Sequence, residues 1–423
     1  MGRLKETFLR NPLFNTLITL EGNPRACVYT EPLWGVPYNL YAPYATLFMY
    51  SLGVKDSQIG LLLSIGMMVQ VLASLAGGIA TDKLGRRRTT FIFDVLAWSI
   101  PCLLWAFAQN FWWFFIAALF NSMWQVTNNS WGCLLVEDAD KKKLVDIYTW
   151  ITVSGLLAVF FAPLSGFLVS GFSLVPVVRC LYIFSFLSMT AKFIVLNNMS
   201  TETTQGKIRM EETKSQSISK MLGEYLGVFK DIISSKPMLT VLAIMFITNT
   251  TNMVTTNFFA LYVTKNLLIP ESWVAYFPMA RAAVMLSFIF LLQGRINRLP
   301  FRPVMICGII FYLVGIVTLL LTPSGNTGLL VIYVICEAIG YALLFPRKDS
   351  LIALFLDPQK RARVQGLMYV LMLGMTTPFG WLTGLMSEAD RSLPFIFSIV
   401  LFATCGIFIA LSKEMRQLDR DNA

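Results

Sequence analysis

Apolar runs of about 20 residues, the length a helix needs to cross a bilayer, recur along this chain between short segments rich in charge, Gly and Pro. Read against those turn and charge signals, the runs predict helices near 30–53, 57–80, 89–108, 111–135, 144–170 and 174–196. A second set is predicted near 238–264, 272–293, 301–322, 327–348, 362–386 and 392–412. Between the sets lies the longest polar stretch, 197–237, which opens as NNMSTETTQGKIRMEETKSQS and ends as ISKMLGEYLGVFKDIISSK. It reads as a flexible linker running into an interfacial helix. Residues 1–29, with Arg3, Lys5 and Arg10 around a short apolar run broken by Pro12, read as an amphipathic segment on the cytoplasmic surface, and 413–423 as a cytoplasmic tail. The expected fold class is an all-α membrane protein of twelve transmembrane helices in two six-helix bundles, 30–196 and 238–412.

Composition narrows the solvent to lipid. Hydrophobic residues make up 56% of the chain and charged ones 14%, against roughly a quarter charged in soluble domains. Asp94 is the only charge between Thr89 and Val136, and Glu337 the only one between Pro303 and Pro346. The basic residues then orient the spans. Lys55, Lys265 and Arg391 fall in loops on one side and Arg179, Lys192 and Arg281 within spans, while the other 28 of the 34 Lys and Arg residues share the side of both tails. Both termini are therefore expected in the cytoplasm, with the chain in the inner (cytoplasmic) membrane. The net charge of +10 is a topology signal and implies no nucleic-acid partner.

Seven cysteines without CxxC spacing and a complete absence of histidine argue against a metal site, and no cofactor is expected. Proton coupling, if present, falls to carboxylates. No cleavable leader is evident. No G-x-x-x-x-G-K-[ST] loop occurs, which argues against ATP-driven pumping.

Displacing the sequence by 215 residues aligns landmarks of the two sets: Asp56-Ser57 with Glu271-Ser272, Asp82-Lys83-Leu84 with Asn297-Arg298-Leu299, Arg87 with Arg302, and Pro163 with Pro378. Parallel repeats of this kind are a transporter architecture.

Between the second and third spans stands Gly78-Ile-Ala-Thr-Asp82-Lys83-Leu84-Gly85-Arg86-Arg87-Arg88. It resembles the G-x-x-x-D-[RK]-x-G-R-[RK] signature of the major facilitator superfamily at every specified position. The resemblance implies two pseudo-symmetric bundles and a cytoplasmic latch formed by Gly78, Asp82, Lys83, Gly85, Arg86, Arg87 and Glu137, with Asn297 and Arg298 as its degraded second copy. Gly78 would let spans 2 and 11 approach, Asp82 would accept from the N-terminus of span 11, and Arg86 would pair with Glu137 or Asp138. Ala158-Val-Phe-Phe-Ala162-Pro163-Leu-Ser-Gly166 is similar to an element of drug–proton antiporters but lacks several of its glycines.

The resemblance also places spans 1, 4, 7 and 10 around a substrate path, and three of them are rich in amides and aromatics. Candidate path residues are Asn39, Tyr41, Asn121, Trp124, Gln125, Asn249, Asn252, Arg281 and Glu337. At ~1.5 Å per residue, Arg281 and Glu337 each lie ~14 Å inside their spans, near mid-depth, where charges are paired or functional. Glu337 is the candidate for proton coupling. Asp94 and Glu31 stay ambiguous, and Arg179 and Lys192 are expected to snorkel to the interfaces.

The expected activity is secondary transport by a monomer working by alternating access. It would carry a small polar organic solute such as a sugar, a glycoside or an organic anion, with a co-transported proton as the candidate coupling ion. A proton-coupled exporter of broad specificity, using the 33 Phe and 20 Met as an adaptable surface, is the alternative within the class. A non-transporting sensor is the alternative outside it. No clustered catalytic set points to an enzyme.

Overall fold

The computed structural model describes residues 12–214, 229–230, 232–292, 296, 299–355 and 361–421, and among them the only regular structure is helical. Among the described residues eight stretches are long and apolar enough to cross a membrane: Asp56–Leu84, Arg86–Ala106, Asp146–Gly171, Leu174–Met199, Lys236–Asn266, Phe301–Leu320, Thr327–Lys348 and Leu393–Leu411. Large apolar side chains such as Phe167, Leu187, Ile310 and Leu411 stand outward from them, as lipid contact demands.

In the first unit, α1 (Pro12–Ile18) and α2 (Gly22–Thr30) precede α3 (Pro32–Tyr41). Ala26, Cys27 and Val28 of α2 enter a buried cluster with Leu134, Ile147 and Leu196. That part of the N-terminal segment is interior and does not lie on a surface. Pro37 is accommodated inside α3, whereas Pro43 breaks the first predicted span: α3 gives way to a 3-10 turn at Ala42–Tyr44 and then to α4 (Ala45–Ser51). The second predicted span is one helix, α5 (Asp56–Leu84). The third is α6 (Arg86–Asp94), a π-turn at Val95–Ser99, and α7 (Ile100–Ala106). The fourth breaks between α8 (Phe111–Asn121) and α9 (Trp124–Val136). The fifth breaks between α10 (Leu144–Val159) and α11 (Ala162–Gly171), because Pro163 has no N–H with which to continue the ladder onto the Val159 carbonyl. Then come α12 (Leu174–Met199) and α13 (Thr204–Thr213), the latter inside the expected linker. The interfacial helix expected at the linker's end lies largely outside the described residues.

The second set comprises α14 (Lys236–Leu261), α15 (Tyr276–Leu291), α16 (Phe301–Leu320), α17 (Thr327–Phe355), α18 (Arg361–Ala389), α19 (Leu393–Leu411) and the terminal α20 (Lys413–Asp421).

The chain divides into two compact units, 1–42 with 72–165 and 175–221, and 43–71 with 166–174 and 222–423. α5 thus contributes its Asp56 end to the second unit and its Asp82 end to the first. Within the second unit α16 and α17 pack almost backbone to backbone: a Cβ on Gly340 would stand 2.7 Å from the Tyr312 ring and 2.9 Å from the Gly308 carbonyl. That approach sets Tyr312 beside Glu337.

Candidate functional site

The second unit holds a charge pair inside its apolar interior. Arg281 of α15 places Nε 3.0 Å from Oε2 of Glu337 on α17. The contact is ionic, because Nε lacks the alignment of a hydrogen bond and has no other acceptor. The guanidinium lies 4.5 Å from the centroid of Tyr341, and the Tyr312 hydroxyl donates to Oε1 of Glu337 at 3.5 Å. Glu337 is 5% exposed, whereas a quarter of the Arg281 side chain (26%) remains accessible. An accessible guanidinium held loosely by a buried acid can exchange its partner. If Glu337 takes a proton, Arg281 is freed for an anionic group; if it loses one, the pair closes.

The remaining path candidates divide between the units. In the second, Asn249 donates to Thr376 Oγ1 at 3.2 Å, and Asn252 is half-buried. In the first, Asn121 donates to the Ala97 carbonyl at 2.9 Å, inside the π-turn, and so repairs the backbone there. Asn39 donates within its own helix to Gly35. Tyr41 is 3% exposed, its ring packed 4.8 Å from Tyr182 and 6.0 Å from Trp105. Tyr41, a candidate path residue, is thus enclosed among aromatic rings and not open to a solute. Trp124 is half-buried, and Gln125 is buried with Oε1 unpartnered.

At the Asp82 end of α5 the latch residues form one network. Arg86 grips Glu137 with two nitrogens, Nε to Oε2 at 3.0 Å and Nη2 to Oε1 at 3.1 Å, and reaches Asp82 Oδ1 with Nη1 at 3.1 Å. Gly85, at φ +85°, turns the chain so that α6 starts with free N–H groups. Glu202 accepts those of Arg86 and Arg87, at 2.8 and 3.1 Å. Asp82 also accepts from Arg209 Nη2 of α13 at 2.9 Å. The start of the linker, expected to be flexible, is therefore a helix bound to this network. Gly77 makes a close helix approach, where an added Cβ would stand 3.0 Å from Val126 Cα, and Gly78 and Lys83 are half-buried. Asn297 and Arg298 lie outside the described residues.

The repeat has a structural counterpart at its other landmarks. Arg87 donates to the Asn197 carbonyl near the end of α12, and Arg302 to the Ala410 carbonyl near the end of α19. Each guanidinium satisfies a terminal carbonyl and complements the negative end of the sixth helix of its set.

The model of the MFS_1-like family matches residues 39–398. The chain belongs to that family. Solved structures agree in fold. The nucleoside transporter NupG is 17% identical with a TM-score of 0.66, covering 94% of this chain and 98% of its own. A bacterial homolog of the human lysosomal transporter Spinster, inward-facing and unoccupied, is 14% identical with a TM-score of 0.69, covering 95% and 97%. A POT family transporter bound to a thioalcohol-conjugated peptide is 13% identical with a TM-score of 0.68, covering 92% and 95%. A search of curated proteins finds no match. The protein is a multi-pass membrane transporter of the major facilitator type.

Two features of the transporter escape sequence reading. In the second unit, Asp56 at the start of α5 is 3% exposed and accepts from Ser387 Oγ at 2.7 Å and Arg391 Nε at 3.1 Å. Its repeat mate Glu271 pairs with Lys265 at 3.0 Å. The repeat had marked both acids, but nothing in the sequence paired them. In the first unit Lys192 is 5% exposed and bonded to Glu31 at 2.8 Å, so the expectation that it snorkels is corrected. An apolar interior forces a lysine with a carboxylate in reach to pair with it.

Proposed function

We propose that the protein is a proton-coupled secondary transporter that carries a small polar organic solute across the cytoplasmic membrane by alternating access. The proposal includes twelve spans in two pseudo-symmetric bundles, 30–196 and 238–412, with both termini cytoplasmic and the monomer as working unit. The observation that supports it is the Arg281–Glu337 pair, a loosely aligned ion pair in the apolar interior of the second unit with one partner accessible. Glu337 is the proton site and Arg281 the anchor for an anionic group of the solute. Solutes bearing a carboxylate or phosphate therefore come ahead of sugars and glycosides.

The test is uptake by liposomes containing the purified protein, with and without an imposed proton gradient, over a panel of acidic solutes, sugars and nucleosides. Gradient-dependent accumulation of an acidic solute is the expected result. Accumulation of neutral solutes alone would remove the anionic assignment. No uptake of any solute by folded protein would favour a sensor.

A further inference from the structure

The first unit buries a second set of charges that the Arg281–Glu337 centre does not use. Glu31 stands where α2 meets α3, Asp94 is the last residue of α6, and Lys192 projects from α12. Asp94 is 4% exposed and Lys192 5%. The Lys192 ammonium bonds Glu31 at 2.8 Å and lies 5.8 and 5.7 Å from the ring centroids of Trp34 and Trp131. Asp94 lies within electrostatic range of the same ammonium and of Glu31, as does the buried Cys27 thiol of α2. Thr127 of α9 also adjoins Asp94; it is 7% exposed, and its hydroxyl makes no hydrogen bond of good geometry.

Charge balance decides what this arrangement does. One ammonium faces two carboxylates, and Glu31 already has the short contact to it. Asp94 is left as a carboxylate without a counter-charge of its own, in surroundings where an isolated ion is strongly disfavoured. The π-turn at Val95–Ser99 begins directly after it, a backbone irregularity that concentrates at functional positions.

We propose that Asp94 is a proton-binding site, held ready by the Lys192–Glu31 pair. In the loaded form one carboxylate oxygen carries the proton and donates it to the unpartnered Thr127 hydroxyl. On release the proton leaves to water, and the Asp94 carboxylate competes with Glu31 for Lys192. The site therefore links α3, α6, α9 and α12, and its state is reported by the two indoles against the ammonium. It does not rest on the role assigned to Glu337.

Infrared difference spectra of the full-length protein in lipid nanodiscs, recorded across a pH series, test this. The expected result is a protonated-carboxyl C=O band that titrates, persists in Glu337→Gln and is lost in Asp94→Asn. A band that persists unchanged in Asp94→Asn would overturn the proposal, as would its absence from the unsubstituted protein at every pH. Should Asp94→Asn fail to fold, Thr127→Val carries the test. Loss of the accepting hydroxyl is expected to move the band to higher frequency, and an unmoved band would overturn the site. A tryptophan fluorescence response to sodium but not to pH would assign the place to a metal cation and contradict the proton.

Discussion

The two ends of α5 do different work. At its Asp82 end Arg86, Glu137, Glu202 and Arg209, from the first set of helices and the start of the linker, are joined in one network. At its Asp56 end the partners belong to the second set. Besides the Asp56–Arg391 pair, Ser57 N–H donates to Glu388 at 3.2 Å, Ser64 Oγ accepts from Trp381 N–H at 2.7 Å, and Ser64 Oγ donates to the Thr377 carbonyl. Gly60 lies so close to Gly380 and Gly384 that a Cβ on it would stand 2.5 Å from the Gly380 carbonyl. The Asp56 end thus ties the two sequence halves together within the second unit, through closely packed glycines and a buried ion pair.

Substitutions separate the two ends. Gly380→Val is expected to do most harm, because its Cβ would meet Ser64 N at 2.9 Å and Oγ at 2.8 Å. Overpacking of this kind costs about 1–3 kcal/mol, and backbone is what would have to move. Transport should fall at least about tenfold and the melting temperature in detergent should drop; unchanged values would mean that α5 and α18 do not need this contact. Asp56→Asn comes next, since it strips the charge from a buried acceptor of Arg391 and Ser387. The expected loss is about 2 kcal/mol, and a cycle with Arg391→Gln should show coupling. Additive effects would place the pair outside the clasp.

At the other end, Arg86→Lys retains the charge but loses the two-nitrogen grip on Glu137, for about 1–2 kcal/mol by thermal denaturation. Arg209→Ala should matter least. The hydrogen bond to Asp82 holds the Arg209 guanidinium above its ordinary pKa, yet the side chain is 35% exposed. After allowance for solvent screening the loss is below about 1 kcal/mol and should shrink further in high salt. A larger, salt-insensitive loss would make the linker the main fastening of the latch.

Much of the fold was legible because its signals are local. Apolar run length, prolines and basic loops located the helices, and the 215-residue offset singled out Arg87 and Arg302, which perform the same capping task. What stayed hidden depends on contacts distant in sequence. Lys192 and Glu31 are 161 positions apart and Asp56 and Arg391 335, and no periodicity announces such a pair. Tyr41 and Asn121 show the opposite error. Both looked available for a solute, but one is enclosed by aromatic rings and the other holds a π-turn. Residue type marked polarity at depth without marking which polar groups the fold itself consumes.

The most direct test of the proposed coupling uses Glu337→Gln in liposomes, comparing exchange of a transported solute across the membrane with its accumulation under a proton gradient. Glutamine keeps the shape but binds no proton. The account predicts that exchange persists while gradient-driven accumulation is lost. Accumulation equal to that of the unsubstituted protein would contradict it.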